Sequence, residues 1–139
     1  MTITFTDLGE TNMLSTMVGK HKPENLIIRL FVNDIVPKPN RQQDQFTEAT
    51  PLTYRYALIS PDMWEIKKIK VNNKEELCLS AIAKWEFSGW SDHIYGYYAE
   101  GETSGIVKFY SRFEEPYNIG VEGGSITNVL QLFLKNINI

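Results

Sequence analysis

One segment of the sequence, Leu77–Phe87, alternates apolar and polar side chains in a way that restricts the possible folds most strongly. The residues that would share its apolar face are Leu77, Leu79, Ala81, Ala83, Trp85 and Phe87. Ser80, Lys84 and Glu86 would lie on the opposite face. Since successive side chains of a strand point to opposite sides, this period of two predicts a β-strand with one buried face. Such a strand needs paired neighbours and a second layer that covers it.

Other segments with strand character lie before and after this one, with turn-forming residues between them. We predict strands at 26–32, 54–59, 64–71, 77–87, 93–99, 105–113 and 126–134. Helices do not alternate with these strands, which argues against a parallel α/β fold. The sequence therefore predicts a mainly β protein, an antiparallel β-sandwich or barrel-like sheet of about seven strands. Without a repeat or a dividing linker, residues 1–139 are expected to form a single β domain.

A short N-terminal α-helix is predicted at residues 7–18. Asp7 and Glu10 have the spacing of a capping box, and Gly19 is placed to end the helix. The apolar residues that recur at helical spacing are Met13, Leu14, Met17 and Val18. A helix this short is marginal alone, so this stripe is expected to dock. The protein's own sheet is the favoured docking surface, and a partner protein is the alternative.

Residues 36–45 are predicted to form an extended polar loop. Pro37 and Pro39 favour extended backbone, and the segment has no apolar periodicity. Long loops in compact domains are often functional. We therefore interpret residues 36–45 as a surface loop that is either functional or disordered.

The charge distribution gives no sign of nucleic-acid binding. The 14 basic and 17 acidic residues leave a net charge of −3, without the basic excess that such proteins usually show. The densest basic stretch, Lys67 to Lys70, lies close to Glu65, Glu75 and Glu76. We interpret it as a solvated face or sheet edge.

Metal, disulfide and membrane chemistry are not predicted either. Cys78 is the only cysteine, and His21 and His93 lack the spacing of metal ligands. Apolar runs are too short to span a membrane, and the N-terminus has no signal-like core. We expect a protein without a cofactor that is made and folded in a reducing cytoplasm.

No motif predicts catalysis. The glycine-rich segment Gly120–Ser125 lacks the Gly-Lys-Ser/Thr ending of a phosphate-binding loop and leads into a predicted strand. The adjacent acids Glu75–Glu76 and Glu114–Glu115 would point to opposite sides of extended segments, so neither pair could face a substrate together. The sequence leaves open whether folding brings together two carboxylates from separate segments. The interpretation is a protein that is not an enzyme.

Aromatic residues are the strongest candidates for a binding surface. The alternation places Trp85 and Phe87 in the core, whereas Trp90 lies in a predicted turn. Tyr97 and Tyr98 would present one ring on each face of their strand. Exposed rings of this kind can stack on sugars or anchor an interface, although core packing is the alternative.

Several short motifs together resemble a known family. They are Leu30–Pro37, Phe46–Thr50 followed by Tyr54, Tyr95–Tyr98, Arg112–Phe113, Pro116–Ile119 and Gly123–Gly124. In this order, and behind an N-terminal helix, they are similar to small tailed-bacteriophage proteins that are often encoded near the major capsid protein. The resemblance spans nearly the whole chain.

The resemblance implies a structural virion protein, most simply a capsid decoration or cement protein. Its expected partners are the major capsid protein and further copies of itself, in a homo-oligomer such as a trimer. The alternatives are a tail or neck accessory protein that binds a glycan and, more remotely, a wall or polysaccharide hydrolase. Under the capsid hypothesis, the helix at 7–18 and the loop at 36–45 are expected to touch neighbouring molecules. The residues expected to contact partners are Met13, Met17, Pro37, Pro39, Arg41, Trp90 and Tyr97.

Overall fold

A computed structural model describes residues 3–49, 54–89 and 93–133 of the chain. The regular elements are β1 (Thr4–Phe5), α1 (Asp7–Met17), β2 (Leu26–Phe31), β3 (Tyr54–Arg55), β4 (Ala57–Ile59), β5 (Glu65–Val71), β6 (Lys74–Phe87), β7 (Ile94–Gly101), β8 (Val107–Tyr117) and β9 (Gly124–Leu132). Short 3₁₀ helices are formed by Gln43–Gln45 and Pro61–Met63. The predicted mainly β fold with a short N-terminal helix is confirmed, with nine strands in the described residues.

The strands form two antiparallel sheets that pack as a sandwich. The first sheet has the order β1-β8-β7-β2-β4, and in the second sheet β3, β5 and β9 all pair with the long strand β6. Side chains from both sheets form the main core, among them Leu30, Phe109, Trp85 and Leu130. The indole Nε1 of Trp85 donates a hydrogen bond across the core to the Ile28 carbonyl at 2.9 Å. This bond satisfies the one polar atom of a fully buried ring.

The predicted strand at 54–59 is instead two strands in different sheets. Tyr54 and Arg55 pair with β6, whereas Ala57–Ile59 pairs with β2. The chain thus crosses from one sheet to the other at Tyr56, as strands at sandwich corners do. Local alternation could not show this, because it continues through the crossing.

Strand β8 extends beyond its predicted end. Ile94 pairs with Tyr117 and Gly96 pairs with Arg112, so a bulge in β8 lies between these two pairs. The bulge contains Glu114, Glu115 and Pro116, which follow the predicted end of the strand at residue 113. A bulged residue needs no ladder hydrogen bond, and the strand therefore tolerates the proline.

Helix α1 begins and docks differently from the prediction. Its N-cap is Thr6, whose hydroxyl accepts a hydrogen bond from the Gly9 amide at 2.9 Å. The helix lies so close to β8 that a Cβ at Gly9 would overlap the Lys108 carbonyl. Its buried residues are therefore Gly9 and Asn12. The expectation that the whole Met-Leu stripe packs on the sheet is wrong, since Leu14, Met17 and Val18 are exposed and Met13 alone packs against the core.

The polar loop covers the outer face of the first sheet. Just after it, the Phe46 ring stacks on Tyr98, with ring centroids 4.3 Å apart, and also packs against Phe31 and Tyr110. These rings form a second apolar cluster, on the side of the sheet away from the main core. The Tyr110 hydroxyl donates a hydrogen bond to the Pro37 carbonyl at 3.2 Å. The loop is thus fastened to its own domain.

Candidate interaction surface

The β5–β6 hairpin, residues 65–80, extends beyond the rest of the second sheet and is called the arm below. Strand β9 pairs with Leu79 to Phe87 of β6, whereas Lys74 to Cys78 pair with β5. At about 3.3 Å per residue, this outer part of β6 is roughly 15 Å long. Asn72 and Asn73 close the hairpin with positive φ angles of 52° and 65°, as in a two-residue turn.

The arm exposes apolar side chains on the face that continues the sandwich interior. Ile66 lies opposite Leu79 and Lys68 lies opposite Leu77, so these four side chains share one face. On β6 this is the face that carries Trp85 into the core. Nevertheless Ile66 is 76% exposed, Leu77 61% and Leu79 43%. We call this surface the arm face.

The arm face corrects part of the strongest sequence prediction. The alternation of Leu77–Phe87 is confirmed, and its odd-numbered side chains are buried from Ala81 onward. Leu77 and Leu79 belong to the same face but are exposed. The reason is that β6 has 14 residues, whereas β2 and β7 in the first sheet have 6 and 8. The strand is longer than the layer that covers it.

An apolar groove of about 490 Å³ lies at the base of the arm. Helix α1, the start of β8 and the second sheet surround it. Its apolar lining includes Phe5, Met13, Trp64, Ile66, Leu79, Phe109 and Leu132. Ile66 and Leu79 belong both to the groove and to the arm face, so the two form one continuous surface. Such a surface can bind aliphatic or aromatic side chains.

An ion pair forms the polar part of the groove wall. Glu24 and Lys108 are 3.0 Å apart and mostly buried, and the Glu24 carboxylate also accepts hydrogen bonds from the Thr103 and Ser104 amides at 2.9 Å. Burial acts to raise the pKa of Glu24, but the hydrogen bonds from Ser104, Lys108 and Thr103 outweigh it and lower that pKa to about 2. The pair fastens the β7–β8 turn to the segment before β2.

In a charged cluster on the first sheet, folding brings two carboxylates to one shared cation. Arg29 donates hydrogen bonds to Glu48 at 3.0 Å and to Glu100 at 2.9 Å. Burial acts to lower the pKa of Arg29, but the hydrogen bonds to Glu48 and Glu100 outweigh it and raise that pKa. Since the guanidinium bridges the two carboxylates, we interpret the cluster as a link between the segment that follows the loop and the sheet.

The predicted contact residues do not gather at one site. Met13 lines the groove, whereas Met17 is exposed on the helix. Arg41 is exposed and pairs with Asp44 at 2.7 Å, and Pro39 is half-buried. Trp90 lies outside the described residues.

Two of the residues predicted to contact partners are buried in the folded chain and are not exposed as expected. Pro37, within the loop, is one of them. Tyr97 is buried in the main core, where its ring packs against Trp85 and Phe113. Burial raises the pKa of the Tyr97 hydroxyl, which also bonds to Ser111. Tyr97 and Tyr98 lie on opposite faces of β7, as predicted. The face of Tyr97 belongs to the main core, and the loop region covers the face of Tyr98.

Sequence reasoning missed the arm face and the groove. Ile66 lies among lysines and glutamates, and this composition was interpreted as a solvated edge. The arm face could have been found from the alternation that places Ile66, Lys68 and Lys70 on the same side as Leu77 and Leu79. To use this alternation, one must know the register of the hairpin closed by Asn72 and Asn73, and composition does not give that register.

Among residues 3–49, 54–89 and 93–133, no group of three or more His, Cys, Asp or Glu side chains is placed to hold a metal ion. In the same part of the chain, no helix has the length and apolar character needed to cross a bilayer. Comparisons with protein-family models, curated proteins and solved structures gave no match to this chain.

Proposed function

We propose that the protein is a structural component of a tailed-bacteriophage virion that binds the assembled capsid as a decoration or cement protein. The observation that carries this proposal is the arm face with its adjoining groove. An exposed apolar surface of this kind on a well-packed domain is typical of a site that binds another protein. The family resemblance of the motifs from Leu30 to Gly124 supports the same class.

The packing of the domain supports a structural role on a capsid shell. The main core lies between the sheets, and a second cluster under the loop fixes the outer face of the first sheet. A decoration protein has to keep its shape while many copies make weak contacts with one shell. Avidity then gives tight binding although each contact is weak, and binding stabilises the assembled lattice by mass action.

The alternative functions have less support. Glycan binding by the tyrosine strand is not favoured, because Tyr97 and Tyr98 are both buried. The hydrolase alternative would need two carboxylates facing a substrate, and Glu48 and Glu100 are instead bridged by Arg29. The proposal therefore assigns no enzymatic activity.

The decisive experiment is the copy number of the protein in purified virions of the source phage. Quantitative mass spectrometry would measure its molar ratio to the major capsid protein. A ratio comparable to the capsid subunit, or a simple fraction of it, is the expected result. A ratio far below that would assign the protein to the tail or neck, and its absence from virions would overturn the proposal altogether.

A further inference from the structure

The bulge in β8 forms an acidic hollow at the end of the sandwich away from the arm. Residues Phe113 to Asn118 line a depression of about 640 Å³. Glu114 and Glu115 are exposed at its rim, and Tyr117 is 41% exposed. The Phe113 ring packs edge-on against Tyr117, with centroids 4.8 Å apart, and this contact holds the tyrosine in place. This surface is called the acidic hollow.

The register of β8 places the acidic hollow and the arm at opposite ends. Lys108 and Phe109, at the start of β8, line the groove at the base of the arm. Tyr117, at the end of β8, pairs with Ile94 at the other end of the first sheet. Two different patches at opposite ends cannot contact each other within one copy of the domain.

We propose that the arm face of one copy binds the acidic hollow of a second copy of this chain. Ile66 and Leu77 would pack against Tyr117 of the second copy, and Lys68 and Lys70 would face its Glu114 and Glu115. The two patches are complementary, since the arm face combines exposed apolar side chains with Lys68 and Lys70 against the single acid Glu75. The acidic hollow combines Tyr117 with Glu114 and Glu115. Because the patches differ, the contact is heterologous, and it forms a ring if the rotation between copies closes.

Charge favours a second copy as the occupant. The arm contains Lys67, Lys68, Lys70 and Lys74 against Glu65, Glu75 and Glu76, so its formal charge is +1 in a chain of net charge −3. A locally basic arm on an acidic protein steers copies toward a head-to-tail contact. This inference does not depend on the capsid role, because it concerns contacts between copies alone.

Strand β5 is an edge strand of the arm, and its sequence disfavours backbone pairing with a strand of another molecule. Strand β5 pairs with β6 and, in the described residues, with no other strand. Lysines on an edge strand discourage pairing with strands of other molecules. We therefore assign the contact to the arm face, through side chains, and not to backbone pairing along β5.

Sedimentation equilibrium of the purified chain over a range of concentrations tests the inference. The wild-type chain is expected to self-associate. The double variant Lys68→Glu/Lys70→Glu should weaken association about tenfold, because it replaces attraction to the acidic hollow by repulsion. Lys67→Glu/Lys74→Glu makes the same change in net charge on the opposite face of the arm and is the matched control. It should leave association within about twofold of wild type.

Reversing the charges of the acidic hollow tests whether the arm binds that particular surface. Glu114→Lys/Glu115→Lys should weaken association as strongly as the arm variant. A chain that carries both reversals should associate again, because its arm and hollow are once more opposite in charge. Circular dichroism would verify that each variant is folded, which we expect since all six side chains are exposed.

The apolar half of the contact has its own variant. Leu77→Ser should weaken association, whereas Ile82→Ser should not, since Ile82 is similarly exposed on the other face of β6. A wild-type chain that stays monomeric at all concentrations would overturn the inference. So would an oligomer that is equally sensitive to the control variants, or one that the combined charge reversal does not restore. None of these results would change the virion copy number, so this inference can fail while the proposed function stands.

Discussion

The outer face of the first sheet and the arm face are both apolar surfaces of a sheet, but only one of them is covered. Over the first sheet, the segment before Phe46 places that ring against Phe31, Tyr98 and Tyr110. The arm face carries Ile66, Leu77 and Leu79 with no comparable cover among the described residues. The polar loop that ends before Phe46 thus helps to cover an apolar cluster. The arm face, whose alternation is typical of a buried strand, is exposed to solvent.

The difference shows that apolar side chains are buried only where another element reaches them. The loop reaches the first sheet because polar contacts hold it there: the Gln42 side chain accepts a hydrogen bond from the Val107 amide at 2.7 Å, and the Pro39 carbonyl accepts one from the Asp7 amide at 2.8 Å. The arm leaves the sandwich before any element of the first sheet can cover it. Four substitutions test this contrast.

The largest effect is expected for Phe46→Ala. Removing the ring empties the space between the loop and three aromatic side chains, and should lower the free energy of unfolding by about 3 kcal/mol. Urea denaturation followed by tryptophan fluorescence would measure it. If the change were below about 1 kcal/mol, the loop would not be a structural cover.

Arg29→Met should have the next largest effect on stability. It leaves Glu48 and Glu100 half-buried without their cation, and we expect a loss of about 2 kcal/mol. Arg41→Met is the control, because Arg41 pairs with Asp44 on the exposed part of the loop and its loss should cost no more than about 0.5 kcal/mol. Equal effects in thermal unfolding would mean that the half-buried cluster does not fasten the loop.

Glu24→Gln should change the pH dependence of stability. The pKa of Glu24 is lowered in the folded state, so its ionised form stabilises the fold above the ordinary carboxyl range. That contribution is lost as the pH falls from about 5 to about 2. The variant should be about 2 kcal/mol less stable than wild type at neutral pH and nearly equal to it near pH 2. Urea midpoints measured across this range would show a constant difference if the ion pair with Lys108 were unimportant.

The smallest effect on stability is expected for Leu77→Ser on the arm face. The side chain is 61% exposed, so the free energy of unfolding should change by less than about 0.5 kcal/mol. The same substitution at Leu30, which is fully buried on β2, provides the comparison and should be strongly destabilising. A large loss of stability at Leu77 would mean that the monomer covers the arm face after all.

Local sequence was a good guide to the elements themselves. The period-two pattern predicted β2, β6 and β9 with errors of up to three residues at their ends, and helical spacing predicted α1 to within one residue. Turn residues on either side predicted β5 to within one residue. It did not predict β1, whose two residues pair with Tyr110 and Phe109 far along the chain. So short a strand carries no periodicity of its own.

The candidate site was less accessible to sequence reasoning. Met13 was predicted to make a contact and does line the groove, but Trp64 and Leu132 come from distant segments that meet only in the folded chain. Pro37 and Tyr97 were expected to face a partner, and they are instead buried. Each is apolar enough for either role, so composition could not decide between them.

The sequence by itself determined which side of the strands β2, β6 and β9 is apolar, because alternation follows from backbone geometry at every residue. It therefore determined the antiparallel β class and most of the strands. The tertiary structure alone decided which apolar faces are covered, since that depends on the relative lengths and registers of elements far apart in the chain. That is why Trp85 lies in the core while Leu77, on the same face of the same strand, is exposed.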